Sequence, residues 1–84
     1  MDTYELHSRV GNFTINSRDI ATNPDDILLI MSKMIVLRCE HLYYNGYFEY
    51  IALSSLFEKV EDGVKPPCYL VSVVDDEVFA EHIS

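Results

Sequence analysis

The stretch HLYYNGYFEYIALSS, residues 41–55, decides the fold that the sequence predicts. Asn45-Gly46 is the strongest short signal for a two-residue hairpin turn, because both residue types accept the positive φ angles that such a turn requires. Residues rich in β-branched and aromatic side chains flank it at 34–44 and 47–53. We therefore expect an antiparallel hairpin with a two-residue turn at its centre.

With that turn, Tyr44 faces Tyr47, and the two faces of the hairpin differ in chemistry. One face is apolar enough to pack on a helix and carries Leu37, Cys39, Tyr43, Phe48, Tyr50 and Ala52. The other mixes apolar and charged residues, namely Arg38, Glu40, Leu42, Tyr44, Tyr47, Glu49, Ile51 and Leu53. Because this second face is too apolar for open water, we expect the N-terminal segment, a second copy or a partner to cover it.

A helix is predicted from Asn23-Pro24-Asp25-Asp26. Asn23 is a suitable cap, Pro24 fits the first helical position, and the two acids favour the positive end of a helix. The helix should run through residues 27–31, which are apolar on nearly every side, so we expect it to be largely buried.

The remaining segments predict shorter elements. Residues 4–15 alternate around Gly11-Asn12 and suit a strand and turn, with a helical first turn from Asp2 as the alternative. Ser55 and Glu58 have capping-box spacing, which predicts one helical turn over residues 55–59. A last hairpin is expected from 68–74 and 77–83 around Asp75-Asp76, with one face carrying Tyr69, Val71, Val73, Val78 and Ala80.

Together these elements predict a single small α+β domain over residues 1–84. One helix should pack on a four- to five-stranded antiparallel meander sheet. Eighty-four residues leave room for one small core.

Charge and cysteine usage limit the partners and the compartment. Six Lys and Arg stand against 14 Asp and Glu, a net charge of -8, which argues against direct binding to nucleic acid or an anionic membrane and favours a basic partner. The N-terminus lacks the pattern of a signal peptide, and no apolar run has the length of a membrane span. We therefore expect a cytoplasmic protein whose two cysteines, Cys39 and Cys68, are reduced.

The sequence favours a non-enzymatic protein without cofactor or metal. Cys39 and His41 share a strand face and offer a two-ligand metal site as an alternative, but a zinc site usually has four ligands with short paired spacings. Ser54-Ser55 lacks the glycine-framed turn of a nucleophile elbow, and the three glycines form no phosphate-binding loop.

The acidic residues have a sharper interpretation. Duplex DNA carries one negative charge per ~1.7 Å, and carboxylates displayed at similar density can occupy a DNA-binding cleft in its place. The acids that could form such a row are Asp25, Asp26, Glu40, Glu49, Glu61, Asp62, Asp75, Asp76 and Glu77. A scattered, solvated acidic surface is the alternative.

Residues 48–73, FEYIALSSLFEKVEDGVKPPCYLVSV, resemble small uncharacterised phage-encoded proteins, which implies a viral setting and a host cytoplasm. A weaker resemblance is to the phage inhibitors of uracil-DNA glycosylase, which are acidic α+β DNA mimics. Residues 24–27 look like the start of that family's second helix, 51–55 like its apolar strand and 65–67 like the loop that follows. The resemblance implies that Asp26 contacts a target, although residues 28–30 are apolar where that family's helix continues acidic.

The predicted function is therefore that of an acidic phage-type protein that binds and inhibits a basic host nucleic-acid-handling protein, with DNA mimicry as one form of inhibition. Tyr44, Tyr47, Leu42 and Ile51 would form the apolar centre of the contact, because aromatic anchors carry much of the energy of an interface. The alternative is a homo-oligomeric structural or accessory protein that buries the mixed sheet face against its own copy.

Overall fold

The computed structural model describes residues 3–42 and 45–83, with side chains from Glu5 onward. Tyr43, Tyr44 and the suggested helix start at Asp2 lie outside the described residues. The elements in chain order are α1 (Thr3–His7), β1 (Val10–Asn16), α2 (Ser17–Thr22), α3 (Pro24–Met31), β2 (Ile35–Leu42), β3 (Tyr47–Leu53), β4 (Tyr69–Val74) and β5 (Glu77–His82).

The predicted α+β class is confirmed, but the predicted single meander sheet with one helix is wrong. The described strands form a three-stranded antiparallel sheet in the order β1-β3-β2 and a two-stranded sheet of β4 and β5, accompanied by three short helices. α2 and α3 connect β1 to β2, which forms the opposite edge of the sheet, and β3 then lies between these two strands. Among the described residues, one parallel bridge, between Asn12 and Cys68, joins the sheets, and Asn12 donates its N–H to the Pro67 carbonyl at 2.9 Å.

Gly11-Asn12 does not form the predicted turn. β1 passes through both residues without a break, and Gly11 lies opposite Ala52 of β3. A Cβ on Gly11 would lie 2.8 Å from the Phe57 ring and 2.9 Å from the Tyr69 ring. The glycine is therefore needed for the close approach of two aromatic rings to the strand, a role that glycine also plays inside strands.

The first hairpin has a longer loop than predicted. Leu42 pairs with Tyr47, so four residues, 43–46, join β2 to β3 and the register differs by two residues from that of a two-residue turn. The N–H groups of Asn45 and Gly46 both donate to the Leu42 carbonyl, and the Gly46 carbonyl accepts the N–H of Ser17. These bonds attach the loop to α2, which is a tertiary constraint that local turn preferences do not contain.

A shift of two residues preserves the alternation of a strand, so the predicted division of the hairpin into two faces is largely confirmed. Cys39, Phe48, Tyr50 and Ala52 share one face, and Glu40, Leu42, Tyr47, Glu49 and Ile51 share the other. Leu37 is the exception, because a bulge between Val36 and Arg38 leaves it out of the register.

The predicted helix is confirmed as α3, but its expected burial is wrong. α3 is described throughout, and Ile30 is its one buried side chain, whereas Leu28 is 69% exposed. The helix packs mainly on α2 and β4, so a single side of it is covered. Asn23 occupies the cap position without a capping side-chain bond, because its amide donates to the Thr22 hydroxyl instead.

α2 was not predicted from the sequence. The Asn16 side chain accepts the backbone N–H of Arg18, which is the bond expected of a helix cap, and Asp19 lies in the first turn. An Asn followed three residues later by Asp was therefore the signal that could have identified this helix.

The core is built around a series of aromatic ring contacts on one side of the three-stranded sheet. Phe13 stacks on Tyr50 at 5.2 Å and contacts Phe57 at 6.3 Å, and Phe57 stacks on Tyr69 at 4.5 Å. The buried apolar residues are Phe13, Ile15, Ile30, Ala52, Leu53, Phe57, Tyr69 and Val78. The two sheets contact each other mainly through β1 and β4, and α3 packs on α2 and β4, so the predicted packing of the helix on the β2–β3 hairpin is wrong.

Ser54 fixes the segment in which a helical turn was predicted. It is 1% exposed, and its hydroxyl donates to the Lys33 carbonyl at 2.8 Å while accepting the N–H of Leu56. The Ser54 N–H donates to the Arg9 carbonyl. Residues 55–57 therefore form a turn capped by Ser54 instead of a helix begun by Ser55, and the turn inserts Phe57 into the core.

The second hairpin is confirmed with its predicted turn and faces. Val74 pairs with Glu77, so Asp75 and Asp76 form a two-residue loop, and their φ angles of 51° and 62° are those of a type I′ turn. Its inner face carries Tyr69, Val71, Val73, Val78 and Ala80, as expected, and each of these is buried or half-buried.

Replacing Asp75 and Asp76 with Asn-Gly is expected to raise the free energy of unfolding by about 0.5–1 kcal/mol, because Asn and Gly accept positive φ at lower cost. Urea unfolding followed by circular dichroism would measure it. The matched variant Asp25→Asn/Asp26→Asn removes the same charge from the start of α3, where carboxylates are favourable, and should lower stability. A lowered urea midpoint for the Asn-Gly variant would contradict the turn assignment.

Candidate binding surfaces

The mixed face of the three-stranded sheet forms three rows of three residues, defined by the strand register. We use the name mixed face for these nine residues alone: Asn12, Ile51 and Arg38; Thr14, Glu49 and Glu40; Asn16, Tyr47 and Leu42. Leu53, predicted on this face, lies at the buried end of β3 and is not part of the open surface. The mixed face thus has an acidic centre between two rows that carry its apolar residues.

Two acidic residues are paired across the strands at that centre. Glu40 of β2 and Glu49 of β3 lie directly opposite each other, a position in which like charges destabilise a sheet. Arg38 reaches Glu40 at 3.4 Å, but both side chains are more than half exposed and such pairs contribute little. The paired acids therefore cost stability in the free protein and provide a local negative potential for a cation.

Replacing Glu49 with glutamine is expected to raise the free energy of unfolding by about 0.5 kcal/mol, since it removes the repulsion across the strand pair. Such a change corresponds to an increase of about 2–4 °C in Tm for a chain of this size. Glu77→Gln is the matched control, because Glu77 pairs with Val74 and has no acid opposite it. An equal or lower Tm for Glu49→Gln than for the control would show that the two carboxylates do not repel.

Tyr47 lies at the border of the mixed face and a neighbouring cleft. Its side chain is 38% exposed, and the cleft of about 410 Å³ is also lined by Asp19, Ile27 and Leu70. Leu70 projects from the outer side of β4 and is exposed. The apolar part of the mixed face therefore continues through Tyr47 towards the second sheet.

The other predicted contact acids lie on separate elements. Asp25 and Asp26 are exposed in the first turn of α3, and Asp75 and Asp76 form the β4–β5 turn, with Glu77 next to them. Glu61 and Asp62 lie exposed in the loop after β3. Among the described acids of the predicted set, the register places one pair, Glu40 and Glu49, side by side; Tyr44 lies outside the described residues.

A second cleft was not predicted from the sequence. It has a volume of about 520 Å³ and lies between the loop after β3 and the end of β5. Its lining residues are Glu58, Lys59, Val60, Glu61, Val64, Lys65, Pro66, Pro67, Cys68 and His82. The sequence feature that could have indicated this cleft is the pair of prolines before β4, because they stiffen the loop that forms one wall. The opposite wall, at the end of β5, is placed there by the tertiary fold.

Charges of both signs surround that second cleft. His82 Nδ1 lies 3.8 Å from a Glu58 oxygen, and the His82 ring stacks on Tyr69. Lys59 lies 3.6 Å from Glu5, which Arg9 also contacts at 3.2 Å. The hydrogen bond from Arg9, followed by the charge of Lys59, lowers the pKa of the Glu5 carboxyl. The cleft therefore presents no single charge that selects a ligand.

Cys39 and His41, the alternative metal ligands, lie on the same face of β2 as predicted. A two-residue turn would pair Cys39 with Ala52 and His41 with Tyr50, but in the structure Cys39 is opposite Tyr50, and His41 stacks on Phe48 at 4.4 Å. Partial burial, followed by the nearby Cys39 thiol, raises the pKa of the Tyr50 hydroxyl. Within residues 3–42 and 45–83 there is no group of three or more His, Cys, Asp or Glu side chains placed to hold a metal ion.

β2 is exposed along almost its whole length. Seven of its eight residues are exposed and Leu42 is half-buried. Ile35, Val36 and Leu37 are 53%, 42% and 57% exposed, and β2 is the terminal strand of its sheet. An exposed edge strand with apolar residues is an unusual feature in a stable monomer.

Comparison of the chain with protein-family models, with curated proteins and with solved structures found no match. Among the described residues, no helix has both the length and the apolar character needed to cross a membrane.

Proposed function

We propose that the protein is a non-enzymatic acidic binding protein that captures a basic protein through the mixed face. The observation that carries the proposal is the pair of opposed carboxylates, Glu40 and Glu49, beside the exposed ring of Tyr47. A cationic group placed between the two carboxylates would convert an unfavourable pair into a favourable contact. A functional surface that costs stability in the free protein is a common trade-off.

The apolar residues next to these acids supply the other half of an interface. Tyr47, Leu42 and Ile51 border the acidic centre on both sides. Aromatic and aliphatic anchors of this kind carry much of the binding energy, whereas surrounding charges mainly speed association and select the partner. The net charge of -8 extends this preference for basic partners over the whole molecule.

The finer proposal is that the partner is a host protein that handles nucleic acid and that binding inhibits it, in a phage setting, by occupying its DNA-binding site. It is supported by the acidic composition and by the resemblance of residues 48–73 to small phage-encoded proteins and, more weakly, of residues 24–27, 51–55 and 65–67 to phage DNA mimics. A protein that binds DNA offers the Lys and Arg clusters that an acidic face requires.

Affinity capture from a bacterial lysate at low and high salt, followed by mass spectrometry, tests the proposal. We expect one dominant basic protein that is retained at low salt and lost at high salt. Addition of duplex DNA should release it if the two compete for one site. If no protein is retained above the level of control beads that carry no bait, the proposed binding function is contradicted. Release by salt without release by DNA would contradict DNA mimicry but not the proposed binding function.

The second candidate is a homo-oligomeric structural or accessory protein that buries the mixed face against its own copy. The exposure of Tyr47, which lies beside the half-buried Leu42, favours it, and Ile51 adds a half-buried apolar side chain on the other side of Glu49. Tyr47→Lys/Ile51→Lys should then yield a monomer in sedimentation equilibrium, provided that circular dichroism shows it to be folded. An unchanged mass would exclude the mixed face as the self-association surface.

A further inference from the structure

The outer edge of β2 is open in the part of the chain that the structure describes. In the order β1-β3-β2, β2 has β3 as its one hydrogen-bonded neighbour. An open edge presents a row of unpaired N–H and C=O groups that can add another strand. Apolar residues next to this edge are exposed, as Val36 and Leu37 show. The edge of β2 therefore has the backbone groups and the exposed apolar side chains that the addition of another strand requires.

The charges on this edge restrict which strand can be added. Arg38 and Glu40 point to the same face of the sheet, with Cys39 between them on the other face. A strand that lacks complementary charges at these two positions would leave one or both charges opposite an unsuitable residue, and charged edges limit aggregation in this way. A second copy of β2 running antiparallel is different, because it brings the complementary charges itself.

We propose that two copies of this chain pair antiparallel through β2, with Cys39 at the two-fold axis. In this register Arg38 of each copy lies opposite Glu40 of the other, so two opposite-charge pairs form across the new strand pair. The two three-stranded sheets become one sheet of six strands. The inference goes beyond the proposed function and does not rest on it, because it concerns the strand edge rather than the mixed face.

The charges select this register over its neighbours. A shift of two residues in one direction places the Arg38 residues of the two copies opposite each other. A shift of two residues in the other direction does the same for the two Glu40 residues. Like charges directly opposite each other are destabilising. A shift of one residue is excluded by the alternation of the strands, since it would set side chains of opposite faces against each other.

The same pairing reduces the exposure of the apolar end of β2. Leu37 of one copy comes to lie near His41 of the other, and this contact occurs twice by symmetry. The bulge at Leu37 leaves Val36 on the Cys39 face, so Val36 does not meet Leu42 of the mixed face. One strand pair buries less area than a standard protein interface, so dimerisation should depend on concentration. The mixed faces of the two copies become continuous, which places two Glu40/Glu49 pairs on one surface.

Charge exchange tests the pairing with sedimentation equilibrium over a range of concentrations. Wild type should approach twice the mass of one chain. Arg38→Glu and Glu40→Arg should each raise the dimer dissociation constant at least tenfold, because each single change creates like-charge pairs. The double variant Arg38→Glu/Glu40→Arg should return the constant to within about threefold of wild type. These exposed positions leave the core unchanged, and circular dichroism verifies folding.

Two further measurements fix the register and exclude the other surface. A short bismaleimide should join two chains when Cys39 is the available thiol, in Cys68→Ser, and should fail in Cys39→Ser, which keeps Cys68. Tyr47→Lys, on the mixed face, should leave the dimer mass unchanged. A monomer at every concentration, a dimer that neither single charge change weakens, or a double variant as weak as the single ones would each overturn the inference.

Discussion

Replacing Phe57 with alanine is expected to lower the free energy of unfolding by about 3–5 kcal/mol. Phe57 is 1% exposed and lies between the rings of Phe13 and Tyr69, so its loss opens a cavity in the centre of the aromatic contacts. A domain of this size has a total stability of only about 5 kcal/mol or somewhat more. Thermal unfolding by circular dichroism should therefore show a protein that is largely unfolded at room temperature or melts just above it.

Phe79→Ala is the matched control for this prediction. Phe79 is 49% exposed on the outer face of β5, so the same chemical change should alter the free energy of unfolding by no more than about 0.5–1 kcal/mol. Similar melting curves for the two variants would show that Phe57 does not occupy the core.

Replacing Gly11 with alanine is expected to cost about 2–3 kcal/mol, because overpacking a filled site forces neighbouring groups to move. The added Cβ would lie 2.8–2.9 Å from ring carbons of Phe57 and Tyr69, and both rings are buried. Neither ring can rotate away from the new methyl group without disrupting the stacking of Phe57 on Tyr69. Urea unfolding would measure the loss in stability.

Gly63→Ala separates this steric effect from backbone strain. A Cβ on Gly63 meets nothing within 4 Å, but its φ of +83° disfavours alanine, so a cost of about 1 kcal/mol is expected. The combined variant Gly11→Ala/Phe57→Leu should recover part of the loss, because leucine leaves room for the new methyl group. A Gly11→Ala protein as stable as wild type would contradict the close approach of the rings to β1.

Local chemistry in the sequence was sufficient to predict several elements of the fold. Pro24 with its two following acids located α3, and Asp75-Asp76 located the second hairpin with its correct register and faces. These signals succeed because a helix start and a two-residue turn depend on residues close together in the chain.

The errors in the prediction arise where distant contacts outweigh local preference. Asn45-Gly46 favours a two-residue turn, yet the bond from Ser17 to the Gly46 carbonyl accompanies a four-residue loop. Gly11 signals a turn locally but serves the packing of Phe57, which is 46 residues away in sequence. Strand order likewise depends on where α2 and α3 return the chain, which no local pattern encodes.

The candidate surface was predicted in composition but not in arrangement. The division of faces identified Glu40, Glu49, Tyr47 and Ile51 as neighbours, because strand alternation survives a shift of two residues. The direct opposition of Glu40 and Glu49 depends on that shift and could not be derived from an incorrect loop length. The exposure of β2 depends on its position at the sheet edge, which follows from the tertiary fold.

In the proposed function, the mixed face binds a basic protein through Glu40 and Glu49. The most direct test is calorimetric titration of the purified captured protein with wild type, Glu40→Gln/Glu49→Gln and the control Glu58→Gln/Glu81→Gln, whose acids are exposed and lie outside the mixed face, at one moderate salt concentration. Each double variant removes two negative charges, so their net charges are equal. We predict that the mixed-face variant binds at least tenfold more weakly than wild type, while the control variant Glu58→Gln/Glu81→Gln stays within about threefold. Equal weakening by both variants, or no weakening by the mixed-face variant, would contradict the claim.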